Sequence, residues 1–231
     1  MCSRDFAEAL GRGGFGLIAE IKRCSPSVGP MRKENVDAAA ATYAASSHVR
    51  AVSILTNRTH FGMGVEDLAR LRAALPQPVL RKDFFIDDYQ IFEARAHGAD
   101  AILLMANVLD ATQLRDFHQL ALELGMEALF EIHTLDEIAL LPKSARVVGI
   151  NSRKFKSTSG FVGATGSSQK DFSLEMSVFD LVDHLPAGCL RVAESGLAPE
   201  TIPSVYSKFD AALVGTSLLR DPRGIAACLA E

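Results

Sequence analysis

The stretch LIAEIKRCSPSVGP, residues 17–30, begins as an apolar strand and ends in small polar residues. Glu20 and Lys22 interrupt its apolar part with opposite charges. Because side chains alternate along a strand, both lie on the same face, together with Ile18. Ionised side chains are almost never buried without partners. The stretch therefore predicts a buried strand that becomes polar at its carboxyl-terminal end.

Short apolar runs of this kind recur along the chain and alternate with helix-like segments. The runs are LIAEIK (17–22), AVSIL (51–55), PVLRKD (78–83), AILLM (101–105), EALFEI (127–132), RVVGI (146–150), LRVAES (190–195) and AALVG (211–215). Near-continuous apolar strands separated by helices predict a parallel sheet. Eight such units in 231 residues fit a closed (β/α)8 TIM barrel, the α/β fold that we expect. A doubly wound open sheet is the alternative.

Three of the intervening segments are amphipathic, namely 65–75, 88–98 and 110–125. In the third, apolar residues recur at roughly helical spacing and Gly125 follows in the position of a helix stop. The apolar residues of this segment are Leu114, Phe117, Leu120, Leu122 and Leu124.

The composition favours one globular domain over residues 1–231, because 48% of the residues are hydrophobic and no linker interrupts the pattern. A net charge of −4 argues against nucleic-acid or anionic-membrane partners. No secretory leader or membrane-spanning run is evident, which predicts a cytoplasmic protein. The four cysteines are scattered, so we expect neither a disulfide framework nor a metal site.

The glycine-rich segment GRGGFG, residues 11–16, resembles a dinucleotide-binding fingerprint only superficially. It precedes the first predicted strand, whereas that fingerprint must follow a strand and open a helix. We interpret it as a flexible lead-in to the first strand.

Polar residues end several of the other predicted strands, as they end the first. In a (β/α)8 barrel the carboxyl-terminal ends of the strands form the mouth that carries the active site. The strand-end residues are Glu20, Lys22, Lys82, Glu131, Asn151, Arg153, Glu194 and Ser195. Two lysines and three glutamates at one mouth would neutralise one another, and a salt-bridge plug without catalytic function is the structural alternative.

Small residues follow strands 1, 7 and 8 in the stretches SPSVG (25–29), ESG (194–196) and GTS (215–217). They let backbone N–H groups approach an anion, and the loops after strands 7 and 8 are the usual phosphate site of such barrels. The three loops together predict phosphate binding.

These residues resemble the indole-3-glycerol phosphate synthase family. The matching stretches are IAEIKRCSPSVGP, SILTNRTHFG, PVLRKDFFIDDYQIFEARAHGADAILLM, LGMEALFEIHTLDE, VVGINSR, VAESGL and ALVGTSLLR. The resemblance implies a cofactor-independent lyase of tryptophan biosynthesis. Its small-molecule substrate would be the sugar phosphate 1-(2-carboxyphenylamino)-1-deoxyribulose 5-phosphate, which undergoes ring closure, decarboxylation and dehydration.

The resemblance also implies roles for individual residues. Lys82 matches the general acid, Glu131 the carboxylate that serves dehydration, and Lys22 the lysine beside the substrate's carboxylate. Glu20, Asn151 and Glu194 match residues that hold hydroxyl groups and orient the lysines. The phosphate positions correspond to Ser25, Ser195, Gly196, Gly215 and Thr216, and the apolar wall to Phe61, Phe84, Leu103 and Met105. Arg153 is a further candidate for substrate binding. We expect Lys22 to lower the pKa of Lys82 through like-charge repulsion.

Two departures from the family pattern motivate alternatives. The chain starts almost at RDFAEAL, which implies a shortened N-terminal extension, and the Gly/Ser-rich loop 153–172 is long, as mobile lids often are. The alternatives are a paralogue that acts on a related aryl-amino sugar phosphate and a non-catalytic phosphate-binding subunit. His133 is predicted to be a hydrogen-bonding loop residue. The sequence does not fix the oligomeric state, and a monomer is compatible with it.

Overall fold

The computed structural model describes residues 3–25, 29–30, 33–153, 174–225 and 228. Within them, eight parallel strands close into a barrel in chain order. The strands are β1 (Gly16–Ile21), β2 (Val49–Leu55), β3 (Val79–Lys82), β4 (Ala101–Met105), β5 (Glu127–Ile132), β6 (Val147–Asn151), β7 (Leu190–Glu194) and β8 (Ala211–Val214). Ile18 of β1 pairs with Ala51 of β2 on one side and with Leu213 of β8 on the other. The predicted (β/α)8 barrel is confirmed, and the open-sheet alternative is wrong.

Helices lie between the strands and before the first one. They are α1 (Phe6–Gly11), α2 (Lys33–Ala45), α3 (Arg58–Phe61), α4 (Val65–Arg72), α5 (Tyr89–Ala96), α6 (Ala111–Glu123), α7 (Leu135–Ile138) and α8 (Thr216–Arg220). Three 3₁₀ segments span Met176–His184, Ile202–Val205 and Pro222–Ile225. A short antiparallel pair, Cys24–Ser25 with Gly29–Pro30, follows β1. Across the described ranges, every helix is too short or too polar to traverse a bilayer.

The alternation of side chains along β1 divides the apolar residues into two layers. Leu17 belongs to the layer between the strands and the surrounding helices. Ile18 belongs to the barrel interior, where it clusters with Leu80, Leu129 and Val192. Glu20 and Lys22 have the same parity as Ile18 and therefore follow it along the interior face.

Helix α1 closes the amino-terminal end of the barrel. Phe6 and Leu10 are fully buried and join the interior cluster, whose members include early strand residues such as Ala51 and Ala211. The Asp5 side chain caps the helix by accepting the backbone N–H of Glu8 at 2.8 Å. With this end sealed by apolar packing, the polar strand ends lie at the opposite end.

The predicted helix over 110–125 is confirmed in α6, and its ends have clear local causes. Asp110 and Gln113 form a capping box at its start, and Gly125 follows its end at a φ of +73°. One detail of the predicted apolar stripe is wrong: Leu122 is 41% exposed, while His118 is buried. His118 packs edge-on against Phe130, with ring centroids 5.0 Å apart. The buried face of α6 therefore includes His118 and excludes Leu122.

The glycine-rich segment 11–16 lies between α1 and β1, ahead of the first strand, where a dinucleotide fingerprint has no function. Residues 154–172 of the loop that the sequence predicts to be mobile lie outside the described residues.

Candidate active site

The polar strand ends meet at the carboxyl-terminal mouth of the barrel around Lys82. Its Nζ lies 3.1 Å from Glu131 Oε2 and 3.3 Å from Glu194 Oε2. Lys22 forms an ion pair with Glu20 on β1. Both lysine side chains are largely buried, with 12–13% of their surface exposed, and Glu131 and Glu194 are almost completely buried. The structure thus brings together the two predicted cations and all three predicted anions.

Burial and proximity push the pKa values of the three carboxyls apart. Burial by itself raises the pKa of Glu20 and of Glu131, but neighbouring positive charges outweigh it, and both values end below normal. Lys22 acts on Glu20, and Lys82 acts on Glu131. Burial raises the pKa of Glu194 to about 8, because the charge of Lys82, which lowers this pKa, is opposed by repulsion from Glu131 and does not offset the burial. Glu194 is therefore a carboxyl group that holds a proton at neutral pH.

The expectation of a lowered Lys82 pKa is wrong. Burial alone would lower this pKa, but the Glu131 carboxylate above all, with Glu20 and with Glu194 when that group is ionised, raises it well above its ordinary value. The expectation considered only repulsion from Lys22. That ammonium is itself held by Glu20, so its charge is largely compensated.

Two glycines make room for these side chains. A Cβ atom at Gly149 would overlap Glu194 Oε1, and it would approach Leu129 Cδ1 to 3.3 Å. A Cβ at Gly215 would overlap Glu20 Oε1 and lie 3.1 Å from Lys22 Nζ. The charged cluster therefore depends on the absence of side chains on the neighbouring strands.

The residues after β6 are tied to the mouth by hydrogen bonds. The Arg153 backbone N–H donates to Asn151 Oδ1 at 3.0 Å, and Ser152 Oγ donates to the Ser195 carbonyl at 3.0 Å. Asn151 is buried, and its side chain also interacts with Glu131, whose pKa it helps to lower. Ser152 thus joins the loops after β6 and β7, and Asn151 connects the loop after β6 to the charged cluster.

The predicted phosphate loops follow β7 and β8 on the same side of the barrel. Ser195 and Gly196 both have a φ of +68°, and Gly215 directly precedes Thr216, the first residue of α8. A weak hydrogen bond from Ser217 Oγ to the Leu197 carbonyl, at 3.4 Å, links the two loops. The backbone of Ser25 lies in the short strand pair after β1, and its side chain is outside what the structure describes.

The four predicted wall residues lie at different depths. Leu103 and Met105 point into the barrel from β4, with 3% and 5% exposure, and Phe84 packs against the same interior cluster. Phe61 ends α3 on the loop after β2 and is half-buried. Met105 pairs in register with Glu131, so it is the wall residue at the level of the charges.

Three features of the mouth go beyond the predicted site: the contacts of His133, which the sequence predicts only as a hydrogen-bonding loop residue, the position of Ser53 and the space at Gly149. His133 Nε2 lies 3.5 Å from Glu131 Oε1, and its Nδ1 lies 3.6 Å from Glu137 Oε2. Ser53 pairs with Glu20 and is fully buried, with no hydrogen-bond partner for its hydroxyl among the described residues. The third is the space at Gly149. Strand parity places His133 on the face of Glu131, and it could also have found Ser53, which shares its strand face with the interior residue Ala51.

Two cavities, of about 300 and 230 Å³, lie against α1 at the amino-terminal end, far from this cluster. They are lined by residues such as Phe15 and Tyr206 in one case and Asp5 and Met126 in the other. We assign them no catalytic role, because barrel enzymes carry their chemistry at the opposite end. In the described part of the chain, no group of His, Cys, Asp and Glu residues is arranged to hold a metal ion.

Solved structures with the same architecture show the fold. The chain superposes on 3-keto-L-gulonate-6-phosphate decarboxylase from Vibrio cholerae with a TM-score of 0.65 at 17% identity, covering 94% of this chain and 96% of that one. A 3-hexulose-6-phosphate synthase gives a TM-score of 0.61 at 14% identity, covering 94% and 100% of the two chains.

Sequence comparison is more specific. The chain is 38% identical over 225 residues to the indole-3-glycerol phosphate synthase of Rhizorhabdus wittichii, covering 94% of this chain and 80% of the relative. It is 40% identical over 229 residues to that of Paenarthrobacter aurescens, covering 95% and 79%. The family model described as indole-3-glycerol phosphate synthase matches residues 2–227. The chain therefore belongs to the indole-3-glycerol phosphate synthase family.

Proposed function

We propose that this chain is a carbon–carbon lyase that converts 1-(2-carboxyphenylamino)-1-deoxyribulose 5-phosphate into indole-3-glycerol phosphate, CO2 and water, a step of tryptophan biosynthesis. Family membership supports the reaction. The observation that carries the assignment to this site is the position of Lys82 Nζ, 3.1 Å from Glu131 and 3.3 Å from Glu194 at the barrel mouth. The reaction needs proton transfer at two places, and this cluster offers an ammonium and two carboxyl groups for it.

Lys82 is the general acid of ring closure. As the aromatic carbon attacks the ketone, negative charge develops on the ketone oxygen, and a nearby ammonium stabilises it and supplies a proton. The raised pKa of Lys82 keeps the group charged at neutral pH, which a proton donor requires. The oxygen becomes far more basic as the ketone turns into an alkoxide, so the proton moves to it as the bond forms.

Lys22 and Glu131 serve the later steps. Lys22 holds the substrate's carboxylate beside the reacting carbon, and the ion pair with Glu20 fixes its ammonium group. Glu131 is ionised, since its pKa is lowered, and it accepts the proton that the substrate loses during dehydration. Asn151 and Glu194 hold the sugar hydroxyls, a role for which a protonated Glu194 offers both a donor and an acceptor.

The rest of the substrate is held around this cluster. The phosphate binds to the loops that carry Ser25, Ser195, Gly196, Gly215 and Thr216, where small residues leave the backbone N–H groups accessible. Arg153 assists from the loop after β6. The aromatic ring packs against the apolar wall of Phe61, Phe84, Leu103 and Met105. We place the enzyme in the cytoplasm as a single catalytic domain, on the composition of the chain.

The direct test supplies the carboxyphenylamino-deoxyribulose phosphate and follows indole fluorescence. Formation of the indole product supports the proposal. Binding without product contradicts it and favours the non-catalytic barrel. A second measurement titrates inorganic phosphate into the protein and follows backbone amide NMR shifts. Shifts confined to residues outside 194–196 and 215–217 would contradict the phosphate assignment.

A further inference from the structure

The overall reaction consumes a proton, and the barrel mouth must obtain it from solvent. The substrate's carboxylate leaves as CO2 and returns its bonding electron pair to the ring. The ketone oxygen leaves as water after collecting two protons, while the methylene carbon beside the amine loses one. Each turnover therefore takes up one proton in total. This balance rests on the proposed function, and it raises the question of how a proton reaches a buried cluster that the substrate covers.

A row of three side chains leads from the cluster towards the surface. Glu131 has 1% of its side chain exposed, His133 has 10%, and Glu137 has 14%. The imidazole lies between the two carboxylates, with Nε2 at 3.5 Å from Glu131 and Nδ1 at 3.6 Å from Glu137. Contacts of this length commonly shorten when the reacting complex forms. The exposure increases at each step away from Lys82.

The outer end of the row is firmly held. Glu137 Oε2 accepts the backbone N–H of His133 at 2.7 Å, and the two residues are four positions apart at the start of α7. Interaction with His133 also keeps the pKa of Glu137 below its usual range, although burial alone would raise it. The opposite oxygen of Glu131 faces Lys82, and Glu194 completes the charges around it. His133 thus contacts Glu131 from the side that the catalytic lysine leaves open.

We propose that His133 is a proton relay that connects Glu131 with solvent by way of Glu137. The ring takes up a proton at Nδ1 from the Glu137 side and then gives the proton on Nε2 to Glu131. A flip of the ring then returns its N–H towards Glu131. Histidine suits this exchange because it gains and loses a proton readily near neutral pH. Glu131 passes the proton into the cluster, from which it leaves with the departing water.

The test compares four variants for kcat under saturating substrate, with imidazole added as a proton carrier. His133→Ala removes the relay, His133→Gln keeps a hydrogen-bond donor near Glu131 but cannot transfer protons, and Glu137→Gln interrupts the outer step. His48→Gln is the matched control, since His48 is exposed and precedes β2 at the other end of the barrel. Circular dichroism verifies that each variant is folded.

We expect kcat to fall about 10²-fold in both His133 variants, the lower end of what a positioned proton-transfer group contributes. Added imidazole should restore kcat in His133→Ala, while the wild type and His48→Gln remain insensitive to it. Normal kcat in His133→Ala would overturn the relay. A normal kcat in His133→Gln without imidazole would also overturn the relay, because a hydrogen bond that holds Glu131 in place would then be sufficient for turnover. A wild type that forms no indole product would instead reject the proposed function.

Discussion

The two ends of strand β5 carry similar sets of residues with different consequences. At the amino-terminal end, Glu127 lies 3.1 Å from Arg146 and 3.6 Å from His118. At the carboxyl-terminal end, Glu131 lies 3.1 Å from Lys82 and 3.5 Å from His133. Each end thus combines one glutamate, one histidine and one cation at nearly equal distances.

The surroundings of the cation distinguish the two ends. The Arg146 side chain is 57% exposed, so water continues to solvate its charge although its partner Glu127 is buried, and the pair fixes the strand end. The Lys82 side chain is 13% exposed and shares its site with a second carboxyl, Glu194. Burial there forces the pKa values of neighbouring carboxyls apart. A glutamate–cation pair is therefore structural or reactive according to how much water reaches it.

Removal of the Lys82 side chain should have the largest effect at the carboxyl-terminal end. Lys82→Ala should lower turnover by about 10²–10⁴-fold, because it removes the proton donor to the ketone. It should also lower the free energy of unfolding by about 3–5 kcal/mol, since buried carboxylates lose their partner. Single-turnover indole formation and urea unfolding measure the two effects. The exposed Lys143→Ala is the control, and near-normal turnover in Lys82→Ala would contradict the assignment.

A matched pair of substitutions compares the two ends directly. Glu131→Gln keeps the shape of the side chain but cannot exchange a proton, so kcat should fall about 10²-fold or more. Glu127→Gln should leave kcat per folded molecule unchanged and cost only stability, because its partners Arg146 and His118 lie at the far end. Steady-state kinetics with active-site titration checks this. Equal losses of kcat in both variants would show that the ends do not differ in function.

The pKa of Glu194 predicts an unusual pH dependence of stability. Because this pKa is raised to about 8 from an ordinary value of 4.5, the folded protein binds a proton that the unfolded chain releases between these pH values. The free energy of unfolding should therefore fall as the pH rises from about 4.5 to about 8, by about 5 kcal/mol at about 1.4 kcal/mol per pKa unit. The lowered pKa values of Glu20 and Glu131 act at lower pH, outside this window.

Glu194→Gln should remove that decline, so the variant should gain stability relative to the wild type at pH 8.5 but not at pH 5. Urea unfolding at the two pH values measures the difference, with the exposed Glu200→Gln as the control. A wild type whose stability rises across this range, with Glu194→Gln unchanged, would show that Glu194 is ionised throughout.

The smallest effect concerns the loop after β7. Ser195 has a φ of +68°, a conformation that favours glycine. Ser195→Gly should raise the free energy of unfolding by about 1 kcal/mol through relief of this strain. It should also raise KM, if the hydroxyl contacts the phosphate. Thermal unfolding and steady-state kinetics test the two parts separately, and a destabilised variant would contradict the strain argument.

The sequence was sufficient to predict the barrel, because eight apolar strands alternate with helical segments, and the gathering of charges at its mouth, because that follows from strand parity. Glu20, Lys22, Lys82, Glu131 and Glu194 all continue interior faces of their strands, and all meet at one end. Parity does not give distances across the barrel, which depend on the stagger of neighbouring strands. The partners of Lys82, and hence the direction of its pKa shift, therefore needed the structure.

Gly149 illustrates the same limit on reading one strand at a time. As a strand residue it looks like a weak point, since glycine has no side chain to pack. The reason for a glycine there is found only on β7, where Glu194 fills the space. Similarly, Glu137 has no strand parity to mark it, and only the turn into α7 brings it to His133.

The space at Gly149 also constrains how this barrel could evolve. A side chain at position 149 would overlap the Glu194 carboxyl group and force it to move, so the two positions are epistatic although they lie on different strands. A mutation that places a new functional group at position 149 therefore displaces Glu194 or requires a shorter residue there. Such a change disturbs the old chemistry as the new group appears, unless a second gene copy carries the original function. New activities in this fold should therefore arise more easily from substitutions in its loops than from substitutions at this position of β6.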